Sequence, residues 1–181
     1  MKKKGFGQSR PPMRDAKKLM QALIKRVAET QGDQTQVHQF FESNRAKLDE
    51  SLLEALPLVF TALTAEELPE TRQNIARFFW TFGYLIQRFP LGNRMLNLEL
   101  GITAYQLALK VYTCEAFPED WAKLQNNLGN AYRDRIRGDR AENLEQSIAA
   151  YELALQVCTR EAFPADWAMT QNNLGTAYRN R

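Results

Sequence analysis

The stretch that decides the fold is QNNLGNAYRDR, which begins at Gln125 and returns as QNNLGTAYRNR from Gln171. Sliding the sequence on itself by 46 residues pairs residues 92–135 with residues 138–181, and 29 of the 44 aligned positions are identical. Such self-similarity at a fixed period is typical of solenoids, in which each unit buries its apolar face against its neighbours. The sequence therefore predicts a repeat array.

Each unit contains two apolar stripes with helical spacing, so we expect two helices per unit. The stripe of the second helix consists of Leu144, Ile148, Tyr151, Ala154, Leu155 and Cys158. In the first helix, Gly129 stands where a side chain would hold the partner helix away. Phe117-Pro118 and Phe163-Pro164 mark turns, because residues before proline avoid helical geometry. Gly138-Asp139 marks another turn.

The motifs Leu128-Gly129-x-x-Tyr132 and Tyr151-x-x-Ala154-Leu155 resemble the two helices of a tetratricopeptide repeat (TPR). The period is 46 residues, whereas the ordinary repeat has about 34, so we expect longer turns or helices. Residues 72–181 closely resemble the long-period TPR arrays of cyanobacterial proteins, many of which end in a caspase-like CHAT protease domain. The resemblance implies an all-α, right-handed solenoid. It carries over no protease activity, because the CHAT module and its catalytic residues have no counterpart here.

We predict three segments: a basic flexible arm (residues 1–14), a helical leader (15–71) and the array (72–181). Phe82-Gly83 lies 46 residues before Leu128-Gly129, so the stretch around it is interpreted as a degenerate first helix of the array. Pro57 is expected to bend or interrupt a leader helix. The helices before the first complete unit are predicted at roughly Asp15–Gln31, Gln34–Asp49, Ser51–Leu63 and Glu66–Arg88.

Charge is concentrated at the start of the chain, where residues 1–26 hold nine basic residues and one acid. Such a segment can bind a polyanion or merely keep a protein in solution.

No apolar run follows that would make a signal peptide or a membrane span, so we expect a cytoplasmic protein. In that compartment Cys114 and Cys158 are predicted to be free thiols.

The sequence lacks the patterns of common catalytic and metal sites, and we predict neither enzyme activity, nor a cofactor, nor a metal site. His38 is the single histidine, and Cys-x-x-Cys, His-Glu-x-x-His and phosphate-loop patterns are absent. The acids Glu66, Glu67 and Glu70 are interpreted as part of a helix start capped by Thr64 or Thr71. Aromatic residues 78–84 are expected to form core and not a base-stacking platform, so nucleic acid is not an expected partner of the array.

The favoured function is a protein-interaction scaffold that binds a peptide or protein on the concave face formed by the first helices. Asn offers a donor and an acceptor, and Arg can bind a carboxylate with two parallel bonds, so the groove should suit acidic or C-terminal peptides. Alternatively, the asparagines bond between neighbouring helices and hold the array together. The predicted partner-binding residues are Lys123, Asn126, Asn127, Asn130, Arg133, Met169, Asn172, Asn173, Thr176 and Arg179.

The sequence is also compatible with two alternative functions. In the first, the chain is the sensor part of a longer or split CHAT-type peptidase or signalling protein. In the second, it is a polyanion-binding protein that uses its basic arm. At the other end the array stops after a first helix. Leu174, Ala177 and Tyr178 are therefore predicted to form an open-end interface, covered by self-association or by a polypeptide that continues the array.

Overall fold

A computed structural model describes residues 12–181, which form eight α-helices, one short 3-10 helix and no strand, so the all-α class is confirmed for these residues. Residues 1–11 of the predicted arm lie outside the described part, and residues 12–14 already belong to the first helix. The helices are α1 (Pro12–Glu29), α2 (Gln34–Ser43), α3 (Glu50–Thr64), α4 (Pro69–Ile86), α5 (Arg94–Ala108), α6 (Pro118–Asp134), α7 (Arg140–Leu155) and α8 (Pro164–Asn180).

Helix α3 runs through Pro57 from Glu50 to Thr64, so the predicted interruption of this helix does not occur. The predicted threonine capping does not occur: the Thr64 hydroxyl donates to the Phe60 carbonyl at the end of α3, Thr71 lies inside α4, and no side chain caps the start of α4. Helix α4 starts at Pro69 instead of Glu66, which has a positive φ of 60°. Proline fits the first helical position because its missing N–H has no helical acceptor there.

The main core extends from α1 to α6 and is rich in aromatic side chains. Phe78, Phe79 and Phe82 of α4 are buried, as predicted, whereas Tyr84 is exposed. The His38 Nε2–H donates to the Leu85 carbonyl at 3.0 Å, and the ring packs edge-on against a phenylalanine. The single histidine therefore links α2 to α4 as a packing residue.

The 46-residue period of the sequence returns in the contacts between helices. A Cβ built on Gly83 of α4 would lie 2.8 Å from the Tyr105 ring, and one on Gly129 of α6 would lie 2.6 Å from the Tyr151 ring. Real side chains do not approach so closely, so both glycines are required. As predicted for Gly129, the missing side chain lets α7 pack directly on the α6 backbone.

The turns between helices repeat at the same spacing. Asn97 Nδ2 donates to the Leu91 carbonyl at 3.0 Å, and the equivalent Asn143 Nδ2 donates to the Arg137 carbonyl at 2.9 Å. Each of these turns contains a glycine with positive φ, Gly92 at 81° and Gly138 at 85°. Because glycine tolerates this conformation without strain, the two turns share one geometry.

An ion pair also repeats, but in different surroundings. Arg135 binds Glu99 with two bonds of 2.8 Å, and the Glu99 side chain is only 8% exposed. The equivalent pair joins Arg181 to Glu145 at 2.7 Å, with both side chains about half exposed. The hydrogen bond to Glu99 is the main reason that the pKa of Arg135 is raised.

The leader and the repeated helices share contacts. Helix α3 packs against α5, and Arg137 in the α6–α7 turn pairs with Glu50 at the start of α3. Within residues 12–181, no helix has the length and apolar content that crossing a membrane requires.

Candidate functional site

The candidate binding site is an open cavity of about 280 Å³ where the ends of α4 and α6 meet the start of α5. Helix α4 and the residues after it supply a glutamine and an arginine, α5 supplies its first residue, and α6 supplies three polar side chains. The cavity is lined by Gln87, Arg88, Arg94, Asn130, Arg133 and Asp134.

The charges of this cavity favour an anion. Three of its six lining residues are arginines, and Asp134 is the one acid, which accepts from Arg133 Nε at 3.1 Å. Among the described residues, neither Arg88 nor Arg94 forms an ion pair. The Arg88 guanidinium lies 3.7 Å from the centre of the Tyr84 ring. These two arginines therefore have charge to offer to a carboxylate or phosphate.

Asn130 is held in one orientation by its neighbour on α7. The Tyr151 hydroxyl donates to Asn130 Oδ1 at 2.9 Å. Burial raises the pKa of Tyr151, so the hydroxyl keeps its proton and remains a donor. Asn130 also carries two amide N–H donors, which suit a ligand that accepts hydrogen bonds.

Some of the other predicted binding residues have structural roles. Asn126 is buried, and its Oδ1 accepts from Asn173 Nδ2 at 3.1 Å, which ties α6 to α8. For this pair the alternative interpretation, a bond between neighbouring helices, describes the contact. Asn126 is therefore not free to meet a partner, and its assignment to the binding face is corrected.

Lys123 and the α8 residues of the predicted face are more accessible. Lys123 pairs with Glu119 on its own helix and lies 4.0 Å from Asp166 of α8; the bond to Glu119 is the main cause of its raised pKa. Thr176 donates back to the carbonyl of Asn172 at 3.0 Å. Of the remaining predicted residues, Asn127 is half-buried, whereas the exposed ones are Met169, Asn172 and Arg179.

The three residues of the predicted open end do not share one environment. Ala177 is fully buried against Ile148 and Tyr151 of α7, so its assignment to an exposed interface is wrong. Leu174 is half-buried in the same cluster. Tyr178 is 46% exposed and donates to Glu152 at 2.8 Å, a bond that raises its pKa.

Sequence reasoning did not assign Gln87, Arg88 or Arg94 to a site. A signal was available for one of them, since Arg94 and Arg140 are equivalent in the 46-residue alignment. Each donates to a backbone carbonyl at the end of the preceding first helix, Arg94 to Gln87 and Arg140 to Arg133. An arginine that closes one turn thus also lines the cavity.

Other reactive groups do not gather into a site. Within residues 12–181, no cluster of three or more His, Cys, Asp or Glu side chains could hold a metal ion. Both cysteines are free thiols, and burial raises the pKa of Cys158. Comparisons with protein-family models, with curated proteins and with solved structures found no match.

Proposed function

We propose that the repeated helix pairs form a right-handed α-solenoid of the TPR type, and that the protein is an interaction scaffold whose first helices bind an acidic peptide segment. The observation that carries this proposal is the cavity with three arginines and one acid between α4 and α6. Guanidinium groups bind carboxylates with paired, charge-assisted bonds, so an Asp or Glu side chain or a C-terminal carboxylate is the favoured ligand group.

The shape of the surface supports a peptide over a small anion. Lys123, Asn127 and Asn130 follow one another at three- or four-residue steps on α6, so they continue the polar face that begins at the cavity. Each is partly accessible. An extended segment that places its carboxylate at Arg88 and Arg94 can therefore bond along α6 through its backbone.

A direct test measures the binding of short fluorescent peptides by polarisation. An Asp- and Glu-rich peptide is compared with the same peptide carrying Asn and Gln, and each is titrated with the full chain and with the Arg88→Gln/Arg94→Gln variant. Hydrogen bonds to charged groups contribute about 1.5–3 kcal/mol each, so we expect the double variant to weaken acidic-peptide binding at least about tenfold. Binding should also weaken as salt is added.

The matched control is Arg72→Gln/Arg160→Gln, which removes two exposed arginines outside this cavity. It lowers the net charge by the same amount and should leave peptide affinity nearly unchanged. Equal affinities for the acidic and neutral peptides, or equal losses in the two double variants, would show that the cavity is not the binding site.

A further inference from the structure

Two arginines of the cavity have counterparts one unit further along the chain. In the 46-residue alignment, Arg94 corresponds to Arg140, and Arg133 corresponds to Arg179. The two sets lie on equivalent elements, since α4, α5 and α6 pack in the same order as α6, α7 and α8. Arg140 and Arg179, called here the second arginine pair, therefore repeat one wall of the cavity at the ends of α6 and α8.

The repeated wall is held by repeated contacts. Arg94 donates to a backbone carbonyl at the end of α4, and Arg140 donates to one at the end of α6. Each bond places a guanidinium at the end of the preceding first helix. The bond of 3.1 Å between the Asn126 and Asn173 side chains joins α6 directly to α8. The second arginine pair is therefore positioned by the same kind of turn, on two helices that touch.

The second arginine pair is accessible and has charge available for a ligand. Within residues 12–181, neither Arg140 nor Arg179 forms an ion pair, and both are exposed. Arg133, the equivalent of Arg179, is only half-buried although α7 packs on its helix, so this position is accessible in both units. The carboxylate of the neighbouring Asp139 already accepts from the Glu142 N–H. The pair can therefore bind a carboxylate.

The second arginine pair is the weaker of the two sets. At the position that corresponds to Arg88 it has Asp134, whose carboxylate pairs with Arg133 at 3.1 Å. A ligand with a single carboxylate therefore binds at the cavity. A second carboxylate of the same ligand adds the contact with Arg140 and Arg179.

The distance between the two sets selects the conformation of the ligand. The axes of packed helices lie about 8–10 Å apart, so equivalent points on α6 and α8 have about this spacing. In a polyproline II segment, residues i and i+3 point to the same side and lie about 9 Å apart. In a β-strand, residues on one side lie about 7 or 13 Å apart. The spacing therefore favours polyproline II.

We propose that the cavity and the second arginine pair together bind one polyproline II segment that carries two acidic side chains three residues apart. This inference rests on the proposed function and narrows its ligand to an internal acidic segment instead of a chain end. The first carboxylate binds Arg88 and Arg94. On one side of it the segment follows α6, as described above, and on the other side it crosses the end of α6 toward Arg140 and Arg179.

The test is a series of fluorescent peptides with acetyl and amide ends, so that only side-chain carboxylates are present. In otherwise proline-rich peptides, two Glu residues are separated by one, two or three prolines, and Glu-Pro-Pro-Gln is the reference with one carboxylate. Each peptide is titrated into the full chain. We expect Glu-Pro-Pro-Glu to bind at least about tenfold more tightly than the reference, because it adds a charge-assisted contact. The other two spacings should gain little.

The decisive protein variant is Arg140→Gln/Arg179→Gln. It should bind Glu-Pro-Pro-Glu no more tightly than the reference peptide and should leave affinity for the reference unchanged. Because Arg140 also closes a turn, Arg179→Gln alone is a second variant, at an exposed residue outside that turn. It should lose part of the same gain. The Arg88→Gln/Arg94→Gln variant should weaken both peptides, as the proposed function requires.

Two outcomes would overturn the inference and leave the proposed function intact. One is equal affinity for the three spacings of the two Glu residues. The other is that Arg140→Gln/Arg179→Gln loses no more affinity for Glu-Pro-Pro-Glu than the control Arg72→Gln/Arg160→Gln, which removes the same charge. If Arg88→Gln/Arg94→Gln binds every acidic peptide as the wild type does, the proposed function fails, and this inference fails with it.

Discussion

Helices α6 and α8 have nearly the same sequence and the same length, yet one is core and the other is largely surface. Leu128 and Gly129 of α6 are buried, Gly129 beneath the Tyr151 ring of α7, whereas Leu174 is half-buried and Gly175 is exposed on α8. Local sequence therefore decides that a helix forms, and the next helix decides which of its faces becomes interior. Substitutions of the same kind should therefore have different consequences at covered and at exposed positions, which four comparisons can test.

The largest difference in the loss of unfolding free energy is expected between Tyr151→Ala and Tyr178→Ala. Tyr151 is fully buried and fills the space above Gly129, so its truncation should cost about 3–5 kcal/mol, as for other large aromatic residues in cores. Tyr178 is 46% exposed, and we expect its loss to cost about 1 kcal/mol or less. Urea unfolding of both variants measures the two values, and similar costs would contradict the assignment of α8 to the surface.

The next comparison concerns the repeated ion pair. Arg135→Met leaves the buried Glu99 carboxylate without its partner and should destabilise the protein by about 2 kcal/mol, less than for a fully buried pair because Arg135 retains some exposure. Arg181→Met removes the exposed counterpart and should cost about 0–1 kcal/mol. Denaturant midpoints at low and high salt provide the measurement; only the Arg181 effect should fade as salt rises.

Replacement by alanine is expected to change the free energy of unfolding in opposite directions at Gly129 and at Gly175. Gly129→Ala forces a methyl group against the Tyr151 ring; overpacking costs about 1–3 kcal/mol and outweighs a gain in helix propensity of about 1 kcal/mol. Gly175→Ala meets nothing and keeps only the gain. For a chain of this size, about 1 kcal/mol corresponds to roughly 2–4 °C in melting temperature. Calorimetry should show one variant melting below the wild type and the other above it.

The smallest expected effect is the contribution of Tyr151 to the pH dependence of folding stability at alkaline pH. Burial raises the pKa of Tyr151 above the ordinary tyrosine value of 10.0, so above pH 10 the unfolded state loses the phenolic proton before the folded state does. The folded state then binds more protons, and stability falls as pH rises through this range. Tyr151→Phe should flatten this fall, measured by denaturant unfolding, whereas Tyr84→Phe, at an exposed tyrosine, serves as the control.

Features of the fold that depend on the periodicity of the sequence could be predicted from it. The apolar stripe of α7 is buried from Leu144 to Cys158 apart from the half-buried Leu155, and the need for a glycine at position 129 follows from the same pattern. Periodicity also led to Gly83 as an equivalent position in a stretch with little sequence identity. Its contact with Tyr105 supports that alignment.

The sequence was insufficient where a side chain's partner comes from another element. Asn126 and Asn127 look alike in the repeat, yet Asn126 alone faces α8, because the two positions are rotated apart on the helix. Ala177 was assigned to an open face although it packs on the preceding helix. The start of α4 was missed because the backbone of Glu66 is set by the turn and not by a capping side chain. The arginine cavity depends on how two first helices approach each other, and no single stretch encodes that approach.

The turns with Gly92 and Gly138 have a consequence for how such a chain can change its length. Arg94 bonds to a carbonyl at the end of the preceding helix and Asn97 to a carbonyl of the turn, in the same way as Arg140 and Asn143 do. If residues 94–139 were removed and Asn93 were joined to Arg140, then Arg140 and Asn143 would meet the carbonyls to which Arg94 and Asn97 now donate. The Tyr151 ring would then lie over Gly83. Gene rearrangements that remove or duplicate 46 residues preserve these junctions, whereas shorter insertions within a helix rotate its buried face away from its neighbour. The turns thus define the unit by which recombination can lengthen or shorten the protein.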